Sequence, residues 1–125
     1  MIDRVIAMRV PKMVDAVDAD TNTALRAFRA RLQERFGAQL RGLVLFGSRA
    51  RGDHRDDSDA DVAVFLRPVT DAIAAQMDMA TDAYSVFLDT GILIQPWVFS
   101  GTPDHPDRSR AMELLNAVQT EGITL

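Results

Sequence analysis

Cysteine is absent from the chain. Disulfide frameworks, thiolate metal sites and thiol nucleophiles are therefore excluded, and the redox state of the compartment leaves no mark on the sequence. No apolar run reaches the roughly 18 residues that a membrane span requires. Met1–Asp20 scatters Asp3, Arg4, Arg9, Lys12, Asp15 and Asp18 along a stretch where a signal peptide would need an uninterrupted apolar centre. A cytoplasmic location with no membrane partner is expected. A basic excess is also lacking: 14 Lys and Arg stand against 18 Asp and Glu, a net charge of −4. That balance argues against a chain whose main task is to coat nucleic acid, and no direct nucleic-acid partner is expected.

What remains is the composition of a folded domain, with 47% hydrophobic and 26% charged residues over 125 positions, enough for one hydrophobic core without staples. Residues 21–125 are read as that single domain. Residues 1–20, whose Ile2, Val5, Ile6 and Met8 fit a helix only loosely, are read as an arm or an extra helix. Arginines crowd the first half (Arg26, Arg29, Arg31, Arg35, Arg41, Arg49, Arg51 and Arg55) while the second half is acidic. They suit either a solvated helix face and loop or a positive field for a phosphate ligand or an acidic partner.

From Thr21 the apolar residues Leu25, Phe28, Leu32 and Phe36 recur at helical spacing, with Thr21 or Asn22 as cap and Gly37 as stop. The apolar run 42–46 predicts a buried strand ending at Gly47, and 59–66 a second strand closed by Pro68. Ile73, Met77, Ala80, Tyr84, Phe87 and Leu88 form the next helical stripe, and core packing is the plain reading for Met77 and Tyr84. The β-rich run 92–99 contains Pro96, which implies an edge strand or a bulge. A last helix over 107–121 would turn Met112, Leu115 and Val118 inward and use Gly122 just past its end.

The informative string is 47–61, Gly-Ser-Arg-Ala-Arg-Gly-Asp-His-Arg-Asp-Asp-Ser-Asp-Ala-Asp, set between the first two strands. Gly47 and Gly52 have the spacing of a P-loop, but Asp53 and His54 stand where Lys and Ser or Thr are required. Asp57, Asp59 and Asp61 open like a calcium-binding EF-hand loop, but Val62 takes the obligatory Gly place and Pro68 that of the bidentate Glu. A phosphate and cation site built differently fits better. Asp59 and Asp61, two apart on a strand, project from one face and can share one or two hard cations. Gly47 lets the backbone approach a ligand, the amides of 48–50 can meet phosphate oxygens, and Ser48 adds a hydroxyl. Ser48 and both acids are expected to converge at the sheet edge.

This string resembles the signature of the polymerase-β-like nucleotidyltransferase superfamily: Gly47-Ser48, ten residues, then Asp59-x-Asp61. Gly-Ser-Arg-Ala-Arg-Gly and Ser-Asp-Ala-Asp are similar to its stand-alone minimal branch. So, more weakly, are the elements around the motif, His105-Pro106, and the ending Glu121-Gly122-Ile123-Thr124-Leu125. The resemblance implies an α/β (α+β) fold with a small mixed sheet flanked by helices. It implies ATP as substrate and Mg²⁺ or Mn²⁺ on Asp59 and Asp61, with Ser48 beside them as a catalytic residue. Gly47, Ser48, Arg49 and Arg51 would contact the nucleotide, a phosphate role that suits forked guanidinium donors; Arg51 could equally pair with Asp53 or Asp56. In that branch many members are antitoxins that nucleotidylate and silence a helical HEPN-type toxin. The family's third acid is missing from 92–99, where Leu93 or Gln95 takes its place. A contact-only binding module and a small-molecule nucleotidyltransferase therefore remain as alternatives. Trp97 is read as either docking surface or core.

Overall fold

The computed structural model describes residues 17–108 and 111–125, so most of the segment read as an arm lies outside it. Helix α1, Ala19–Phe36, starts two residues before the expected domain boundary. Its cap is Asp18, whose carboxylate accepts the Thr21 N–H at 2.8 Å; Thr21 and Asn22 lie inside the helix. The N-cap role falls to the acid because its short side chain reaches back to the first free amides. Leu25, Phe28 and Leu32 are buried as their spacing requires, and Gly37 ends the helix at φ 55°.

A 3₁₀ turn, Gly37–Gln39, leads into β1, Leu40–Phe46. There follow α2 (Ser48–Arg51), β2 (Ala60–Leu66), α3 (Ala72–Thr90), β3 (Ile94–Ser100), α4 (Met112–Glu121) and β4 (Ile123–Thr124). The sheet runs in the order β3-β2-β1-β4. Strand β1 is antiparallel to β2 and β4, while β2 and β3 are parallel and joined by α3. This is the small mixed sheet flanked by helices that the sequence led us to expect. Pro96 sits on the edge strand β3, where its missing N–H interrupts no ladder between strands.

Alternation along the strands divides the core in two. Leu43, Leu45, Val62, Val64 and Ile94 face α1 and α3, whereas Val44, Phe46, Ala63, Phe65 and Phe99 face Leu115 and Val118 of α4. On the second face Phe65 and Phe99 stack at 5.5 Å between ring centroids. An ion pair joins the two helices of the first face: Arg35 donates to both oxygens of the buried Asp82 at 2.8 and 3.0 Å.

Other expectations fail, among them the start of the last helix, which opens at Met112 and not at Asp107. Helix α3 buries Ala75, Met79, Ala83 and Val86 and turns Ile73, Met77, Tyr84 and Leu88 to solvent. Two apolar stripes exist on this helix, and the one with small residues fits the close approach to α1 and β3. Met112 is half exposed, at the open start of α4. Gly122 is extended, at φ −70°, not left-handed; a side chain there would strike the Val118 carbonyl and Val44. No helix among the described residues is long and apolar enough to cross a membrane.

Candidate active site

The site lies at one end of the two central strands, not along the sheet edge. Antiparallel pairing sets Phe46, the last residue of β1, opposite Asp61, the second residue of β2. The loop leaving β1 therefore meets the acids entering β2. Gly47 has φ 78°, and a Cβ there would stand 2.6 Å from Asp61 Oδ2. Both conformation and space demand glycine, and they bring the backbone against the carboxylate.

The next four residues form the single turn α2. Ala50 and Arg51 donate their N–H groups to the Gly47 carbonyl, each at 3.1 Å. The amide of Ala50, expected at a phosphate, is thus used within the turn. Those of Ser48 and Arg49 have no partner among the described residues, as the opening amides of a helical turn do not. They and the Ser48 hydroxyl are the donors this loop can offer an anion.

Asp61 is half buried, and burial above all raises its pKa from the usual carboxylate value. The Trp97 indole N–H, 3.3 Å from Oδ1, pulls the other way. The charge of Asp59, exposed just before β2, adds to the rise, as does that of Glu121, while Arg51 opposes it. Asp61 is therefore a carboxylate whose charge is disfavoured first by burial and then by the like charge of Asp59, which Trp97 and Arg51 offset only in part. Hard oxygen donors in that state fit a divalent cation.

Gln95 of β3 stands in register with Asp61, so an amide takes the place of a third carboxylate. Leu93 is engaged through its backbone, its carbonyl accepting the Ala60 N–H at 2.8 Å. The acid nearest before β3, Asp89, lies on α3. Among the described residues no three His, Asp or Glu side chains are grouped to hold a metal.

The two arginines of the motif part company. Arg49 is buried, and all three of its nitrogens are engaged: Nε with the Ser58 carbonyl at 2.9 Å, Nη1 with Thr21 Oγ1 at 2.8 Å, Nη2 with the Asp56 carbonyl at 3.1 Å. It clamps the loop 52–59 to the start of α1, helped by His54 Nε2 at 2.9 Å from Asp18. That engagement turns Arg49 away from the phosphate contact expected of it. Arg51 is exposed and pairs with Asp53 at 3.2 Å and with Glu121 at 3.0 Å. Of the two roles left open for Arg51, pairing with an acid of the loop is the one seen, and Asp53 is that acid.

Glu121 was not legible as a site residue. Strand β4 pairs with β1 through Val44 and Leu45, which carries the end of α4 back to the loop. There Glu121 Oε1 accepts the Gly47 N–H at 3.1 Å. Trp97 escaped notice as a partner of Asp61 because its contact spans two strands; the two-residue offset from Gln95 was the signal available.

Comparison with known proteins agrees with this geometry. A family profile described as nucleotidyltransferase domain matches residues 25–107. The chain is similar to a solved structure described as a toxin–antitoxin with AMP-PNP, at 25% identity and TM-score 0.53, covering 78% of this chain and 68% of that one. It is similar in fold to a toxin–antitoxin MntA–HpeT mutant, at 24% identity and TM-score 0.53, covering 77% and 68%. Curated protein sequences give no match. The profile spans most of the chain and includes the whole loop 47–61, so the chain belongs to the nucleotidyltransferase domain family, with the polymerase-β-like fold.

Proposed function

We propose that this protein transfers a nucleotidyl group from ATP, with Mg²⁺ or Mn²⁺, to a hydroxyl of a partner protein, as a cytoplasmic antitoxin that modifies and silences a helical HEPN-type toxin. The transferase unit of residues 21–125 extends back at least to Asp18, the cap of α1. The observation that carries the reading is the half-buried Asp61 carboxylate packed on Gly47, with Asp59 beside it. The similarity to a toxin–antitoxin with AMP-PNP supports the nucleotide and the kind of partner.

Asp59 and Asp61 are the residues that would hold the cation, which when bound neutralises charge on the triphosphate and on the departing pyrophosphate. Gly47 keeps the backbone close enough for the amides of Ser48 and Arg49 and the Ser48 hydroxyl to donate to phosphate oxygens. The acceptor oxygen forms a bond to the α-phosphorus as the bond to the β-phosphate bridge breaks. Pyrophosphate leaves with that electron pair, and the hydroxyl proton passes to water. Trp97 and the Gly47 packing hold Asp61 in place through the exchange.

The Gln95 register favours one second reading, a nucleotide-binding antitoxin that acts by contact alone. Intact-mass spectrometry of the co-expressed pair with Mg²⁺ and ATP separates the two. Added nucleotide mass on the partner is expected; a stable complex that never gains mass would establish the second reading instead, and no complex would turn the acceptor into a small molecule.

A further inference from the structure

Helix α3 carries a continuous apolar stripe on its outer face. Ile73, Met77, Tyr84 and Leu88 are 76%, 67%, 58% and 65% exposed. At 1.5 Å per residue their span is about 22 Å, and Ala80 fills the gap between Met77 and Tyr84. Tyr84 leans on Phe87 at 6.4 Å between ring centroids. Single exposed apolar residues are ordinary, but a row of this length along one helix is the mark of an interaction surface.

The stripe leads to the active site. Beside its far end at Leu88, Phe87 joins Leu93 around a cavity of about 440 Å³ that is also lined by Asp56, Asp57 and Asp59. Acids border the stripe: Asp71 caps the helix and Asp78 and Asp89 are exposed on it, with no Lys or Arg between 71 and 90, while Asp82 is buried on the inner face against Arg35, which also reaches Asp78 at 3.6 Å.

We infer that the stripe of α3 docks an amphipathic helix of a partner protein, apolar on one side and flanked by Lys or Arg, and so presents a partner hydroxyl at the Asp59 end. The docking stands on the α3 surface itself; only the role of the hydroxyl rests on the function proposed above. Charge complementarity selects this occupant. Two copies packed stripe to stripe would bring acidic helices together, a like-charge juxtaposition that opposes association. The arginine-rich outer face of α1 does not supply the missing half, because no large apolar residue is exposed on that helix. The fit is that of a helix laid along an apolar surface with anchors at helical spacing.

Two synthetic helices with the same leucine stripe, one flanked by lysine and one by glutamate, test this against the full-length chain and its Met77→Lys, Tyr84→Lys variant by fluorescence anisotropy. The lysine-flanked helix is expected to bind at least about tenfold more tightly than the glutamate-flanked one, and to lose at least about tenfold in the variant, roughly 1.4 kcal/mol in each case. Equal binding of both helices, binding of neither, or binding that survives in the variant would overturn the inference. A dimer in sedimentation that the variant dissolves would assign the stripe to a second copy. Binding that appears only after residues 1–16 are removed would assign it to the chain's own leading segment. Calorimetry with Mg²⁺ and ATP on the same two proteins is expected to give equal affinities. Failure of both to bind ATP would refute the proposed function while leaving the docking result readable.

Discussion

Helices α1 and α3 lie side by side on one face of the sheet, and they use their apolar residues in opposite ways. On α1 the large side chains, Leu25, Phe28 and Leu32, go inward, and Arg26, Arg29 and Arg31 go outward. On α3 the inward stripe is Ala75, Met79, Ala83 and Val86, while Ile73, Met77, Tyr84 and Leu88 go outward. Both helices show helical periodicity, so periodicity locates a stripe without saying what covers it. The covering of α1 is this chain's own sheet. That of α3 is left to another molecule.

The comparison breaks most visibly under truncation to alanine. Phe28→Ala, in a fully buried position, is expected to lose about 3–5 kcal/mol in chemical denaturation. Tyr84→Ala, equally aromatic but 58% exposed, is expected to stay within about 0.5 kcal/mol. A similar loss in both would mean that the outer stripe is covered within the chain.

A second contrast lies within the loop. Arg49→Ala removes a buried guanidinium and leaves the Ser58 and Asp56 carbonyls and Thr21 Oγ1 without their donor, at an expected cost on the order of 3 kcal/mol in urea unfolding. Arg51→Ala, which removes only exposed guanidinium pairs to Asp53 and to the partly buried Glu121, is expected to cost no more than about 1 kcal/mol in the same unfolding.

The carboxylates give the smaller, pH-dependent effects. Burial raises the pKa of Asp18, but the hydrogen bonds from Thr21 and the charges of His54 and Arg49 outweigh it and leave the group below its ordinary value. A depressed folded pKa adds stability that is present above the unfolded value and lost as pH falls through the folded one. Asp18→Asn should therefore be less stable than the parent at neutral pH, with the difference closing in acid thermal melts. Asp61 has the reverse sign: its raised folded pKa favours the fold at low pH, and that support is lost as pH rises through it. Without metal, Asp61→Asn should melt slightly higher than the parent at neutral pH; a drop would show that the Trp97 contact outweighs the cost of burying the charge.

Much of the fold was legible because its signals are local. The strand run ending at Phe46, the acids two apart at Asp59 and Asp61, and Pro96 on an edge strand need no knowledge of neighbours. What was not legible depends on neighbours. Arg49 reads as a phosphate ligand until Thr21 and the Asp56 and Ser58 carbonyls are seen to enclose it. Glu121 is distant in sequence from Gly47, and only the pairing of β4 with β1 brings them together. The inner face of α3 was missed because small residues signal close packing only when the partner helix is in place.

A cation held by Asp59 and Asp61, as proposed, would make triphosphate binding depend on it. Titration calorimetry with ATP, in Mg²⁺ and in chelator, on the parent and on the Asp59→Asn, Asp61→Asn variant tests it most directly. Binding is expected for the parent in Mg²⁺ only, and none for a variant that still folds. Equal affinity in the variant, or in the parent under chelator, would contradict it.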